Sequence, residues 1–411
     1  MPRPRARDQA LRQRAQRVIP GGMYGHQSVR QLPDAYPQFF SRAEGCRLWD
    51  ADGNEYVDLM CAYGPMLLGY RHPKVEAAAA EQAGRADTLT GPSEIMVQLA
   101  ERFVGVIDAA AWALFCKNGT DATSAALAIA RAATGRRKVL VAEGTYHGAA
   151  PWCTPFDTGI VEEARAHLVP FEYGDLESLE EAARRAGDDL AGVIVSPFKH
   201  DAVTDQTEPD PGFARGVRAL CDEREAFLIL DEVRAGFRLA FGGSWTAFGV
   251  EPDLAAWGKC LANGHALSAL TGNERGRKAA QRVFLTGSFW FQAIPMAAAL
   301  ATLDELERQP PVPHLETLGR RLRAGWAAQA EEHGLAIRQT GPVQMPLLLF
   351  DDDAKLEKGY RWAAEAVERG AYVHAWHNMF LSAAHTEADV DRVLEATRPA
   401  FAAVAEQGAR G

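Results

Sequence analysis

Between about residue 70 and residue 300 the chain alternates short apolar runs with alanine-rich stretches of helical composition, and few folds accept that alternation. The runs are WALFC (112–116), KVLVA (138–142), AGVIVS (191–196), AFLILDEV (226–233) and SALTG (268–272), with Gly, Asp or Pro within a few residues of their ends. Helical stretches such as DATSAALAIARAATG (121–135) and FARGVRALCDER (213–224) lie between several of them. Continuous apolar runs of four to eight residues belong to strands buried on both faces, so the pattern predicts α/β architecture with a mostly parallel central sheet. In such sheets ligands gather at the carboxyl ends of the strands. The residues directly after each run are therefore the first candidates for chemistry.

Outside that region the pattern changes. ERQPPVPHLE (307–316) interrupts it with three prolines, and the chain then reads as helix, strand, helix, strand and a long final helix. Near the start, RLWDADGNEYVD (47–58) places two strand-like runs around an Asp-Gly turn, a hairpin signal. The expected division is an N-terminal segment, 1–65, serving a smaller α+β domain and a subunit interface. A large domain follows over 66–308, and the C-terminal small domain covers 309–411.

The whole chain has 411 residues, 47% of them hydrophobic, enough for a sizeable core. Its net charge of −10 disfavours nucleic acid or an anionic membrane as the main partner. No run approaches the roughly 18 apolar residues of a membrane span. The basic start reads as a docking helix carrying Leu11, Ala15 and Val18, with a transit peptide as the other reading. Six cysteines without a Cys-x-x-Cys pair read as free thiols in the cytoplasm, and no metal site is expected.

Only eight of the 44 basic residues are lysines, at 74, 117, 138, 199, 259, 278, 355 and 358. Chemistry that needs a primary amine has few places to go. Lys259 follows the run DLAAW and Gly258 among small residues, where desolvation lowers an amine's pKa and frees it to attack a carbonyl. Asp231 ends the most apolar run, a costly place for a carboxylate unless it meets a cation or a hydrogen-bond donor. Read alone it is a counter-ion for a protonated heterocycle, a metal ligand or a loop cap. After WALFC, Asn118, Gly119 and Thr120 open a helix, an arrangement that favours an anion such as phosphate and equally reads as a helix N-cap. Tyr146 and His147 follow KVLVA, and Val233 shares a strand face with Asp231. An amine, a carboxylate and an anion site together are what pyridoxal 5'-phosphate (PLP) requires.

With these residues in place, the chain resembles the class III aminotransferases of the fold-type I PLP-dependent transferases, and most closely their glutamate-1-semialdehyde 2,1-aminomutase-like subgroup. The likeness runs through IPGG (19–22), LWDADGNEYVD (48–58), YGPMLLGYRHP (63–73), NGTDAT (118–123), GTYHG (144–148), LILDEVRAGFR (228–238), GVEPDLAAWGK (249–259), PMAAALATL (295–303) and SAAHTEADVDRVLEA (382–396). The resemblance implies that Lys259 carries PLP as an aldimine and that Asp231 pairs the pyridine nitrogen. Val233 and Tyr146 sandwich the ring, His147 belongs to the same cofactor site, and Asn118, Gly119 and Thr120 hold the phosphate. It also implies a homodimer with shared active sites, Gly287-Ser288 matching a Gly-Thr pair lent by the neighbouring subunit. Arg30 is the expected carboxylate anchor, with Tyr63 and Trp290 shaping the substrate pocket and Phe289 or His377 beside them.

The chain also departs from the family. Ser196 stands where a glutamate is usual, with His200 or Asp201 as substitutes; Trp290-Phe291-Gln292-Ala293 replaces Ser-Gly-Asn-Pro; His377 replaces a second glutamate; and APWCTPFDTG shortens the loop after GTYHG. These changes argue against authentic tetrapyrrole-pathway aminomutase activity. The expected activity is transfer of an amino group from an amino acid or amine to an oxo compound. An intramolecular aminomutase or amino-acid racemase is the alternative, and a non-catalytic PLP-fold binding protein a further one.

Overall fold

The computed structural model describes residues 3–25, 33–200 and 204–408. The chain divides into two compact units. One contains the residues up to His72, a short piece ending at Asp205, and everything from Pro313 onward; the other holds Pro73 to Val312 apart from that piece.

In chain order the first unit opens with α1 (Ala6–Val18), β1 (Phe40–Glu44), β2 (Arg47–Asp50) and β3 (Glu55–Asp58). The expected docking face of α1 differs in detail: Val18 is 81% exposed, while Asp8 and Ala15 are buried. Asp8 is buried because it accepts the backbone N–H groups of Gln38 and Phe39 and the Arg12 guanidinium. The hairpin β2–β3 forms around the Asp52-Gly53 turn, where Gly53 takes a positive φ.

The second unit comprises α2 (Pro73–Ala83), α3 (Glu94–Val106), β4 (Trp112–Cys116), α4 (Gly119–Thr134), β5 (Lys138–Ala142), β6 (Leu168–Phe171), α5 (Leu176–Ala186), β7 (Leu190–Val195), α6 (Pro211–Glu223), β8 (Phe227–Asp231), β9 (Leu254–Trp257), β10 (Ser268–Gly272), α7 (Glu274–Ala280) and α8 (Ala293–Arg308). Its seven strands form one sheet in the order β4-β10-β9-β8-β7-β5-β6. β10 is antiparallel to both neighbours and the remaining pairs are parallel.

The central strands are buried at every position. Phe227 and Ile229 of β8, Ala191 and Ile194 of β7, and Leu254 and Ala256 of β9 pack in one cluster with Ala122, Ala126 and Ile129 of α4. Burying each large aliphatic or aromatic side chain contributes about 1.5–3 kcal/mol. Small alanines on α4 let the helix lie close to the sheet, which brings its N-terminus to the strand ends.

The first unit resumes with α9 (Val312–Glu332), β11 (Ile337–Arg338), β12 (Leu349–Phe350), α10 (Glu357–Glu368), β13 (Ala371–Tyr372) and α11 (Glu387–Gly408). β13 adds parallel to β3, extending a four-stranded sheet β1-β2-β3-β13. No helix among the described residues is long and apolar enough to cross a membrane.

Candidate active site

Asp231 is the last residue of β8, 5% exposed, and its two oxygens have different partners. Oδ1 accepts the Val233 N–H at 3.0 Å, and Oδ2 accepts from His147 Nδ1 at 2.7 Å. His147 is itself fixed all round. Its Nε2 lies 3.2 Å from Thr145 Oγ1, whose hydroxyl donates to the Ala142 carbonyl, and its own carbonyl accepts from the Thr123 hydroxyl. Trp152 stacks behind the imidazole with ring centroids 6.5 Å apart and planes 15° apart, and its indole N–H donates to Ser124 Oγ.

The turn after β4 is built on a carboxylate. Asp121 accepts the N–H groups of Asn118 and Lys117 at 2.9 and 3.2 Å, fixing the entry to α4. The N–H groups of Gly119 and Thr120 remain as first-turn donors that the helix itself cannot satisfy. Such donors, with the positive end of the helix dipole, favour a phosphate. A Cβ on Gly119 would stand 2.7 Å from Val233 Cγ1, and one on Gly148, at φ 131°, would stand 2.4 Å from Thr120 Oγ1. Both glycines are therefore required by close approach, and they draw the Asn118–Thr120 turn, Val233 and the GTYHG segment together.

Lys259 follows β9 and Gly258 directly, with a left-handed φ of 40° that only a constrained loop holds in a non-glycine residue. Its side chain is partly buried, and desolvation, with lesser contributions from the positive charges of Arg234 and Arg238, brings its pKa down to about 7. The nearby Asp231 charge acts in the opposite direction. Near neutral pH a large part of the amine is unprotonated, the form that adds to carbonyls.

Glu232 directly follows the end of β8. It is 1% exposed, accepts the Ser244 N–H and hydroxyl at 2.6 and 2.5 Å, and burial lifts its pKa to about 7. Glu232, Arg234, Arg238 and Trp152 were not singled out from sequence. Three of them sit inside the LILDEVRAGFR block, and the period-two alternation from Asp231 was the available signal for Glu232.

The other expected residues lie as follows. Tyr146 is 41% exposed, and burial of the rest of the ring raises its pKa. Ser288 is exposed; the Trp290 backbone N–H donates to the Gly287 carbonyl at 2.9 Å, and the Trp290 side chain packs on the apolar cluster under α4. Tyr63, in the first unit, meets His377 edge-on at 5.3 Å and His374 at 6.5 Å. His200 is buried with its ring edge-on to Phe198 at 5.1 Å. Arg30 and Asp201 lie outside the described residues.

The residues fit PLP. A buried carboxylate stands ready for a pyridine nitrogen, a lysine is held near neutrality, helix-start donors are backed by glycines that leave no room for a Cβ, and Val233 lies against the cradle. Fold and site together define a fold-type I PLP-dependent transferase. The class III aminotransferase family matches residues 31–386, and the chain belongs to that family; its cofactor is PLP and its reaction transfers an amino group between an amine or amino acid and an oxo compound.

Among its relatives, the aminopentol aminotransferase of Sphingopyxis macrogoltabida is 54% identical, covering 97% of this chain and 94% of the relative. The 3-aminobutyryl-CoA aminotransferase of Cloacimonas acidaminovorans is 34% identical over 97% of each chain. A glutamate-1-semialdehyde 2,1-aminomutase of Desulfitobacterium hafniense is 31% identical, covering 94% and 95%. The PLP internal aldimine form of the Sphingopyxis sp. MTA144 FumI protein superposes with a TM-score of 0.96 at 54% identity, covering 98% of this chain and 97% of the other.

Proposed function

We propose that this aminotransferase takes its amino group from an aminopentol, an amine on a polyhydroxylated carbon chain, and passes it to an oxo acid or other small carbonyl acceptor. The observation that carries this reading is the 54% identity, along 97% of the chain, to an aminopentol aminotransferase. Bound PLP supplies an electrophilic carbonyl carbon and a ring that accepts electrons when its nitrogen is protonated.

The roles of the chain's own residues follow from their chemistry. Lys259 provides the amine that holds the cofactor and, once released, a base that removes a proton from the carbon bearing the substrate's nitrogen and returns it elsewhere. Asp231, steadied by His147, keeps the ring nitrogen protonated. Asn118, Gly119 and Thr120 hold the phosphate, and Val233 and Tyr146 enclose the ring. Arg30, Tyr63 and Trp290 are proposed as substrate contacts on the strength of the family resemblance.

We further assign a homodimer in which Ser288 completes the neighbouring subunit's cofactor site, and a cytoplasmic location. The six cysteines are free, in keeping with a reducing compartment.

The test is a donor panel on the purified holoenzyme: an aminopentol, a β-aminoacyl-CoA, a β-amino acid and glutamate 1-semialdehyde, each with and without an oxo acceptor. The expected result is turnover of the aminopentol that requires the acceptor. Turnover of glutamate 1-semialdehyde without acceptor would select the aminomutase alternative. Light scattering that finds a monomer would overturn the Ser288 assignment.

A further inference from the structure

The His147 imidazole, 2% exposed, meets an oxygen at each of its two nitrogens. Asp231 Oδ2 lies 2.7 Å from Nδ1, and a carboxylate oxygen can only accept. Thr145 Oγ1 lies 3.2 Å from Nε2, and a hydroxyl has a single proton to give. Its other neighbour takes that proton. Thr145 Oγ1 is 2.7 Å from the Ala142 carbonyl, at the optimum for an O–H···O bond, whereas 3.2 Å to a nitrogen is at the long end of the range. With its proton spent on Ala142, Thr145 faces Nε2 as an acceptor.

A neutral imidazole donates from one nitrogen and accepts at the other, so two acceptors do not suit it; a ring that donates from both nitrogens is an imidazolium. The opposite arrangement, a proton on Asp231 and a neutral ring, fits less well. Asp231 Oδ1 already accepts the Val233 N–H at 3.0 Å, and 2.7 Å to Nδ1 is the length of a charge-assisted bond between a cationic donor and an anionic oxygen. We propose that Thr145 is a positioning residue: by accepting at Nε2 it makes His147 a donor from both nitrogens, an imidazolium paired with the Asp231 carboxylate before any cofactor arrives.

The pairing answers a problem that burial poses. Desolvation favours the neutral form of a carboxyl group, and neutral donors do not by themselves offset it. At Asp58, which accepts two backbone N–H groups and the Tyr70 hydroxyl, burial still pushes the pKa up to about 6. Asp231 has one backbone N–H and needs a charged partner to stand ready as a carboxylate. On the reading that the ring nitrogen of PLP docks there, Thr145 prepares the site for a protonated ring without touching the cofactor.

The experiment uses the full chain with 15N-labelled histidine, free of cofactor and at neutral pH, the His147 signals being those absent from His147→Gln. In wild type and in Thr145→Ser, which keeps the acceptor, the two ring nitrogens should resonate close together and both carry a proton. In Thr145→Val they should separate widely, as in a neutral imidazole. The PLP dissociation constant should rise roughly tenfold in Thr145→Val and stay near wild type in Thr145→Ser. An analogue with carbon in place of the ring nitrogen should bind wild type and Thr145→Val alike. A neutral His147 in wild type would overturn the proposal, as would an imidazolium that survives in folded Thr145→Val or an equal loss of affinity for PLP and the analogue, the mark of a merely structural role. Should Thr145→Val fail to fold, the wild-type spectrum decides. A wild type with the imidazolium in place but no visible band on adding PLP would instead defeat the cofactor reading and leave the proton assignment standing.

Discussion

Asp231 and Asp58 look alike in the sequence: each is the last residue of a strand, each is buried, and each leads into a loop. Their surroundings separate them. Asp58 accepts the N–H groups of Met60 and Cys61 at 2.7 and 3.0 Å and the Tyr70 hydroxyl at 2.8 Å. Desolvation dominates over these neutral donors and pushes its pKa up to about 6. It fixes a turn in which Cys61, Ala62 and Tyr63 all take left-handed φ angles of 46°, 54° and 63°. Such conformations cost about 1–3 kcal/mol each and persist only where the surroundings impose them. Asp231 instead faces a titratable imidazole and a single loop N–H. A buried strand-end aspartate is thus no mark of a site by itself. What matters is whether its donors belong to the loop it folds or to a ring held in place by other segments.

Four measurements sharpen that contrast. Asp231→Asn should lower kcat on the order of 10²–10³-fold, as expected for removing one preorganised charge, while thermal unfolding stays near wild type; a large drop in melting temperature with kcat retained would reverse the roles. Asp58→Ala should do the opposite, losing roughly 3–5 kcal/mol of stability in denaturant titration because three donors are stranded, with PLP's visible band preserved.

The amine offers the third. If Lys259 has a pKa near 7, the rate at which apoprotein forms its visible band with PLP should rise with pH and level off just above 7. A rate still climbing toward pH 10 would mean an ordinary lysine. The smallest effect is a slope. The folded state binds the Asp58 proton more tightly than the unfolded chain, so this group lowers stability as pH rises from 3.8 to about 6 and adds nothing further above that. Asp58→Asn should remove that component from the pH dependence of unfolding; an identical slope in the variant would show that the carboxyl titrates normally.

The alternation of apolar runs and helices made the parallel sheet and the strand-end positions of Asp231 and Lys259 readable. The antiparallel setting of β10 was not readable, since a continuous apolar run carries no direction. CAYG (61–64) offered one glycine for a left-handed turn, and the three non-glycine residues before it join because Asp58 compels them. His147 was named from its motif, but its bond to Asp231 depends on a β5–β8 arrangement with β7 between them. Trp152 depends on tertiary register in the same way.

The cradle's residues run from Asn118 to Lys259, yet all belong to the second unit. They meet only after non-local parallel pairing of β5, β7, β8 and β9 is complete, the slowest kind of contact for a chain to make. A nascent or refolding molecule therefore has no cradle to offer until that sheet closes, and capture of the cofactor is a late event that reports on a finished fold. Because the ligand binds only that finished state, its concentration also sets how far the equilibrium is pulled away from partly folded forms.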